Sequence, residues 1–367
     1  MNRTIRLSIA TTSRRAEIAA EVAFSFYGTA SLPLTSQVTL ALGYRDSDLG
    51  GTRIPSLVDR KKFDFGFANP SGLARMALLG VGPYRKKLAL RAIGVFPSWD
   101  RLVFAVRKDT GIRSLEEIKE KRYPLVVSTR SGRKFHTTLY AIDEVLRHYG
   151  FSLAEIERWG GKILRVANPG SPERAEHIRS DAANAIFDEG IKSWGDWALD
   201  SGMRFLPVRE EVLKRMEQLG FPGAPLTRDA FPKLEEKIAT VDFSGWTFFC
   251  HQKLPQTFAY QMAMAIDRCH ERIAADHLNR KTMTMQEFCR GSEGGPLTIP
   301  LHPGANKYYR EKGYLSYRGA EQRWRDEMHG WSFYFSCLPA CRIFTASRRN
   351  PSWHGSIRFR RRSGKPG

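Results

Sequence analysis

Short strand-like runs alternate with helix-like segments over most of this chain, and the alternation limits the folds that it can adopt. The runs "ALRAIGVF" and "RLVFAVRKD", for example, stand on either side of Pro97, and helical patterns follow other runs of this kind. Such alternation is typical of α/β proteins, in which helices cover a largely parallel sheet. With 367 residues, the chain is long enough for about two domains.

The composition fits a folded and strongly basic protein. Hydrophobic residues make up 42% of the chain, and the formal charge is +20. Part of this charge comes from residues 331–367, which contain no acid and which we interpret as a basic tail that is disordered or non-native. The remaining excess is spread among acids, so a specific nucleic-acid site is not expected. The basic residues of the tail are Arg342, Arg348, Arg349, Arg358, Arg360, Arg361, Arg362 and Lys365.

Several other classes of protein find no support in the sequence. The five cysteines are irregularly spaced, and Cys337 and Cys341 lack the second pair that a zinc site needs, so no metal is predicted. No apolar run reaches the roughly 20 residues of a membrane span. The first residues, "MNRTIRLSIATTSRR", do not resemble a secretory leader. The sequence as written therefore predicts a cytoplasmic location, and a periplasmic one if a leader is missing.

Polar turns follow four of the predicted strands, at the end where α/β sheets bind their ligands. Each turn opens a helix, and the free amides of a helix N-terminus favour an anion. A small carboxylate-bearing ligand is therefore expected, although ordinary helix capping explains each hydroxyl on its own. The side chains that we predict to contact the ligand are Thr12, Ser13, Asn69, Ser71, Ser131, Arg133 and Glu189, followed by Thr11, Arg130, His136, Asp188 and Trp99.

The charged candidates have distinct expected roles. Arg130 and Arg133 offer planar forks that match a carboxylate, and surface positions are the alternative for both. Glu189 is expected to hold an amine or hydroxyl of the ligand. Asp188 and Glu189 are also a pair that could act as general acid and base, unless Asp188 caps the helix that begins near Ile191.

No motif of a known catalytic machinery is present. The chain has no G-x-S-x-G, no H-E-x-x-H and no phosphate-binding loop, and its glycine clusters do not fit a dinucleotide site. No cofactor is predicted. Because His136 follows the Ser-Arg turn, it is the histidine that we regard as a candidate ligand contact, with a place on a helix surface as the alternative.

Several of these segments, taken in order, resemble the TAXI family of TRAP-transporter solute receptors. They are "FDFGFANPSGLARMALLGVGPY", "AIGVFPSWDRLVFAVRKDTGIRSLEEIKEKRYPLVVSTRSG", "AIFDEGIKSW" and "PLTIPLHPGANKYYREKGYL". The resemblance implies a type II periplasmic-binding-protein-like fold: two α/β lobes with mixed sheets flanked by helices, joined by two crossovers, with a ligand cleft between them. On this basis residues 1–97 and 245–330 are predicted to form lobe I, and residues 98–244 lobe II.

The resemblance also implies a function. A small anionic solute, such as an amino acid or an organic acid, would bind in the cleft while the lobes close, and a TRAP-type membrane permease would be the partner. The main alternative is a cytoplasmic decarboxylase or lyase on the same fold, with His136 and Asp188 or Glu189 as its acid–base groups. A third reading is nucleic-acid binding through the basic tail, which salt dependence would reveal.

Overall fold

The computed structural model describes residues 6–11, 15–29, 37–42, 51–132, 136–278 and 280–316. The chain divides into two compact units after Tyr317, and all described residues belong to the first unit. The predicted basic tail of residues 331–367 lies outside the described residues, as do Thr12, Ser13 and Arg133 of the predicted site.

The first sheet has the strand order β2-β1-β3-β12-β4. Strands β1, β2, β3 and β4 run in the same direction, and β12 is antiparallel to both of its neighbours. The elements of this half, in chain order, are β1 (Arg6–Thr11), α1 (Ala16–Thr29), β2 (Gln37–Leu42), α2 (Arg53–Asp59), β3 (Phe65–Ala68), α3 (Ser71–Leu79), β4 (Leu90–Phe96), β12 (Trp246–His251), α10 (Gln256–His277), α11 (Met285–Arg290) and α12 (Pro303–Glu311).

Seven strands of the described residues form the second sheet, in the order β10-β11-β5-β8-β6-β7, with β9 pairing against β5. Its elements are β5 (Arg101–Arg107), α4 (Leu115–Glu120), β6 (Val126–Arg130), α5 (Thr137–His148), α6 (Leu153–Arg158), β7 (Lys162–Val166), α7 (Pro172–Arg179), β8 (Ala185–Asp188), α8 (Gly195–Asp200), β9 (Met203–Leu206), α9 (Glu210–Gln218), β10 (Gly223–Leu226) and β11 (Ile238–Asp242).

Helices cover the sheets because the strands are apolar on both faces. All four residues of β3 are buried, and so are all of β5 except Arg107. Strands of this kind need a packing layer on each side. On the first sheet, Val22 and Phe26 of α1 pack in one apolar cluster with Ile266 of α10. The predicted fold class, two α/β lobes with mixed sheets flanked by helices, is confirmed.

The structure differs from the sequence reading at several places. Pro222, Gly223 and Pro225 are typical of a break in regular structure, but β10 forms over Gly223–Leu226 and includes Pro225. Proline is tolerated because β10 is an edge strand, so its missing amide removes no ladder bond that the sheet needs. The sequence has a helical pattern from Lys134 onward, but α5 begins at Thr137, after His136. The helix predicted to begin near Ile191 is a short 3-10 turn, Ile191–Ser193, followed by α8.

The chain crosses between the sheets twice, at residues 97–100 and 243–245, and these two crossovers are bonded to each other. The amide of Asp100 donates to Ser244 Oγ at 2.8 Å, and the amide of Gly245 donates to the Ser98 carbonyl at 3.0 Å. The predicted lobe boundaries at residues 97 and 245 stay a prediction, because a lobe is defined by moving as a unit.

Candidate functional site

The polar ends of the two sheets meet at the crossovers. Strand β4 ends at Phe96, directly before the first crossover. Strand β3 ends at Ala68, level with the second crossover. Strands β6 and β8 are parallel and end at Arg130 and Asp188, where β5 begins after the first crossover. The carboxyl ends of both sets of strands therefore lie at the two crossovers, where α/β sheets bind ligands.

A buried cluster of charged side chains occupies the carboxyl ends of β6 and β8. Arg174, on α7, donates from Nη2 to Asp188 Oδ2 at 2.7 Å, and both side chains are fully buried. The guanidinium of Arg130 contacts Glu189 and lies 3.6 Å from Asp188 Oδ1. The side chains of Arg130 and Glu189 keep 12% and 18% of their surface exposed, so these two can be reached from solvent.

The register of the strands explains the cluster. Thr129 of β6 is paired with Phe187 of β8, so the next residues, Arg130 and Asp188, are side by side. Burial tends to lower the pKa of Arg130, but Asp188 and Glu189 outweigh it and raise that pKa. At Arg174, burial is the larger effect and lowers the pKa. Both guanidiniums stay charged at neutral pH because the intrinsic pKa of arginine is so high.

Asp100 adds a carboxyl group that is held by backbone amides. Both of its oxygens accept from the amide of Gly190, at 2.9 and 3.0 Å, and Oδ1 also accepts from the amide of Arg101 at 2.7 Å. Burial, and then the nearby carboxylate of Glu189, raise the pKa of Asp100 well above its ordinary value. Asp100 therefore holds its proton to a higher pH than an exposed aspartate does.

Arg101 holds the crossovers together on the other side of Asp100. Its fully buried guanidinium donates to Asp242 Oδ1 and Ser244 Oγ, each at 3.0 Å, and to Glu293 Oε1 at 3.0 Å. It also lies over the ring of Trp99, 4.7 Å from the centroid. Because these partners come from three separate parts of the chain, Arg101 fixes the position of both crossovers.

The predicted site residues fall into two groups in the structure. Arg130, Ser131, Asp188 and Glu189 come together at the end of the second sheet. Ser131 is half-buried, and its amide donates to the Val166 carbonyl at 2.7 Å. Trp99 is half-buried on the first crossover, between Arg101 and Lys192.

The remaining described candidates lie on the first sheet or cap a helix. Thr11 is buried at the end of β1, and Asn69 is half-buried before the cis bond to Pro70. Ser71 is fully buried: its amide donates to the Ser244 carbonyl at 3.1 Å, and its Oγ would clash with a Cβ on Gly245. Ser71 therefore packs beneath the second crossover.

His136 has a capping role in this structure. Its ring is buried, and Nδ1 accepts from the amide of Thr138 at 3.2 Å at the start of α5. Asp188 does not cap the following turn, since its carboxylate binds the guanidinium of Arg174 and accepts from the amide of Glu189 at 2.9 Å. The enzyme reading with His136 as acid–base group stays a prediction.

Sequence reasoning missed several members of the cluster. Asp100 and Arg101 follow Trp99 directly in "PSWDRL", so charged residues beside the predicted break at Pro97 were the available signal. Arg174 gave no such signal, because "PERAEHIR" resembles a solvated helix, yet Arg174 is fully buried. Among the described residues, no group of histidine, cysteine and acidic side chains is arranged to hold a metal ion.

Two mixed α/β sheets joined by two crossovers, with polar strand ends meeting there, are the architecture of a periplasmic-binding-protein-like fold. The chain belongs to the NMT1-like family, whose sequence profile matches residues 45–313.

Several solved structures are similar to the chain. The alkanesulfonate-binding protein SsuA from Xanthomonas axonopodis pv. citri, bound to MOPS, has a TM-score of 0.41 and 11% identity over 92% of this chain and 94% of that chain. The aliphatic sulphonate binding protein SsuA from Escherichia coli has a TM-score of 0.39 and 11% identity over 99% of both chains. PhnD1 from Prochlorococcus marinus, in complex with methylphosphonate, has a TM-score of 0.38 and 11% identity over 84% of this chain and 99% of that chain.

Proposed function

We propose that this protein binds a small carboxylate-type solute, such as an amino acid or an organic acid, at the crossovers between its two sheets. The observation that carries the proposal is the pair formed by Arg130 and Glu189. Both side chains are largely buried at the end of the second sheet, and both remain open to solvent in part. A planar guanidinium in such a place suits a carboxylate, because the fork donates two parallel hydrogen bonds.

Binding would exchange one ion pair for another. In the structure Glu189 contacts the guanidinium of Arg130. An incoming carboxylate would take the place of Glu189 on that guanidinium. Glu189 would then be released to accept from an amine or hydroxyl of the same solute. Asp188 would stay in place, since Arg174 holds it from the buried side at 2.7 Å. A solute with both a carboxylate and a donor group would therefore satisfy both partners.

The other predicted contacts belong to the same proposal. Ser131 lies next to Arg130, and we place a hydroxyl contact to the solute there. Asn69 and Trp99 are half-buried at the first sheet and the first crossover, within the region that closure would bring onto the solute. Closure would be favoured only as far as the solute binds the closed form better than the open one.

The transport role is a finer proposal that rests on the resemblance to TAXI receptors. We propose that the protein delivers its solute to a TRAP-type permease. Solute uptake in cells that carry both genes, compared with cells that lack this one, would test that role. Its location in the cell, cytoplasmic for the sequence as written, also stays a prediction, which cell fractionation would check. No helix of the described residues is long and apolar enough to span a bilayer.

A thermal-shift panel tests the binding proposal directly. Amino acids and organic acids would be compared with their primary amides, which keep the shape and lose the carboxylate charge. At least one acid should raise the melting temperature, because a ligand that binds only the folded state stabilises it, and its amide should raise it less. A folded sample that no acid stabilises, or that amides stabilise equally, would contradict the proposal.

A further inference from the structure

Seven exposed basic side chains converge on the edge of the first sheet that lies opposite the crossovers. They belong to three short segments, residues 60–62, 85–87 and 253, and each of the seven is exposed. Two of the segments have the same sequence, Arg-Lys-Lys. This group, the basic tip, consists of Arg60, Lys61, Lys62, Arg85, Lys86, Lys87 and Lys253.

The sheet topology brings the three segments together. Residues 60–62 precede β3, residues 85–87 precede β4, and residue 253 follows β12, which lies between these two strands and is antiparallel to both. All three segments therefore leave the sheet at the same edge. Asp59 joins them, since its Oδ1 accepts from the amide of Ala89 at 2.8 Å and its Oδ2 lies 3.5 Å from Lys86 Nζ.

The pKa of His251 also indicates that these segments lie close together. His251 is the last residue of β12 and is paired with Leu90 at the start of β4. Burial lowers the pKa of His251, and the charges of Lys61 and Lys253 lower it further. Cations from two of the three segments therefore act on one imidazole.

Two carboxylates flank the segment 60–62 and offset only a small part of the charge of the tip. Asp59 accepts from the amide of Ala89, and Asp64 accepts from both the amide and the hydroxyl of Ser8, at 2.8 and 2.7 Å. Seven basic side chains against these two carboxylates give a formal charge of +5. Like charges that lie this close repel one another, so the approach of an anionic surface lowers the free energy of the tip.

The backbone conformation of Lys61 also indicates a role for the charge of this side chain. Its φ is 55°, in the left-handed region that glycine and asparagine adopt at less cost than a lysine does. The turn itself therefore gives no reason for a lysine at this position. A role for its charge would explain the choice of residue.

We propose that the basic tip docks the protein on a bilayer that contains anionic lipids. Lysine-rich clusters on exposed loops bind such surfaces through charge alone, with contributions that add over the side chains. A single-stranded nucleic acid would need exposed aromatic rings for its bases. The aromatic residues of these segments are turned inward: Phe63 packs on the core, and the hydroxyl of Tyr84 donates to the Thr52 carbonyl at 2.9 Å.

Docking through the tip would leave the candidate solute site free. The tip lies at the amino ends of β3 and β4, whereas the crossovers and the cluster around Arg130 lie at the carboxyl ends. A protein attached in this way could still take up a solute from solution.

Vesicle flotation of the full chain tests the proposal. We expect binding to phosphatidylcholine vesicles that contain phosphatidylserine, no binding to phosphatidylcholine alone, and release by salt. The tip variant changes Lys61, Lys62, Lys86 and Lys87 to glutamine, and the control variant changes Lys119, Lys121, Lys162 and Lys214, four exposed lysines of the second half. The tip variant should lose about tenfold or more in vesicle affinity, and the control variant much less.

The matched charge loss makes the comparison decisive, because both variants keep the same net charge and the same residues 318–367. Equal losses in the two variants would overturn the proposal, since they would show binding by overall charge. No binding of the wild type to phosphatidylserine vesicles would overturn it too. If the tip variant loses affinity for a DNA duplex while vesicle binding is unchanged, the tip is a nucleic-acid surface and the proposal is wrong.

Discussion

At the scale of single residues, the site depends on charges that the fold has taken out of water. Asp188 is fully buried. Its buried charge is tolerated because Arg174 donates to one carboxylate oxygen and the guanidinium of Arg130 lies near the other. An intact buried ion pair contributes little net stability. Removing one partner is nevertheless strongly destabilising, because the other charge stays buried without compensation. Arg179, the exposed arginine of the same helix, has no comparable role.

Replacing Arg174 with methionine should therefore destabilise the protein severely. The change leaves Asp188 buried without its 2.7 Å partner, which typically costs roughly 3–5 kcal/mol in the free energy of unfolding. Arg179→Met, on the same helix with 71% of the side chain exposed, is the matched control and should change stability little. Urea denaturation of both variants measures the difference, and equal effects would count against the role given to Arg174.

Asp100 should make stability depend on pH in a defined direction. Its pKa is raised in the folded state by burial and by Glu189, so the folded protein resists losing this proton. Below the unfolded pKa of about 4 both states are protonated and no cost arises. As the pH rises from there toward the folded-state pKa, the contribution of Asp100 to the stability of the wild type should fall.

Asp100→Asn mimics the protonated carboxyl, so its stability relative to wild type should grow as the pH rises through that window. Asp100→Ala should be less stable than Asp100→Asn at every pH, because the amides of Gly190 and Arg101 lose their acceptor. Chemical denaturation at several pH values would check both variants. A constant difference between Asp100→Asn and wild type would contradict the raised pKa.

At the scale of helices and strands, serine caps mark where α6 and α7 begin. Ser171 accepts from the amide of Arg174 at 3.4 Å, and Ser152 accepts from the amide of Glu155 at 3.3 Å. The two helices have similar caps, but only α7 carries a side chain that reaches the charged cluster. Helix α7 therefore links local capping to the geometry of the site.

Ser171→Ala and Ser152→Ala should each lower the free energy of unfolding by about 1 kcal/mol, the usual cost of losing an N-cap. Only Ser171→Ala should also weaken binding of a carboxylate solute, because Arg174 would be held less firmly against Asp188. Urea denaturation and calorimetric titration of both variants would separate the two effects. Equal affinities in the two variants would mean that α7 does not position the site.

The elements were largely predictable from sequence, and their exceptions have physical reasons. Ser114 precedes α4 with Glu117 three residues later, which is the sequence pattern of a capping box. Ser114 accepts from the amide of Glu117, but the carboxylate of Glu117 binds Lys121 and the reciprocal bond does not form. Strand β10 was missed because Pro225 is acceptable only at a sheet edge, and no local pattern says which strand is an edge. The burial of Arg174 was missed because its partner, Asp188, comes from another element.

At the scale of the whole molecule, the backbone of α3 in the first half lies close against residues 220 and 221 of the second half. A Cβ on Gly72, in α3 of the first half, would lie 2.7 Å from the ring of Phe221 and 2.8 Å from the Gly220 carbonyl oxygen. Phe221 is stacked on Phe243 at the second crossover, with ring centroids 5.6 Å apart. Glycine at position 72 therefore permits the first sheet's helix to contact the second half directly.

Gly72→Ala should push the halves apart and lower the free energy of unfolding by about 1–3 kcal/mol, as overpacking does elsewhere. Gly28→Ala is the matched control, since Gly28 is also helical and a Cβ there meets nothing within 4 Å. That change should leave stability unchanged or raise it slightly. Similar melting temperatures for the two variants would contradict the tight contact.

The central claim is that a solute carboxylate pairs with Arg130, and a thermodynamic cycle tests it most directly. Calorimetric titration would give the affinities of the best acid from the thermal-shift panel and of its primary amide, for the wild type and for Arg130→Gln, with Arg179→Gln as the charge-matched control. We predict that the wild type and the control prefer the acid by about tenfold or more, and that Arg130→Gln loses this preference. An acid preference that survives unchanged in Arg130→Gln would contradict the account.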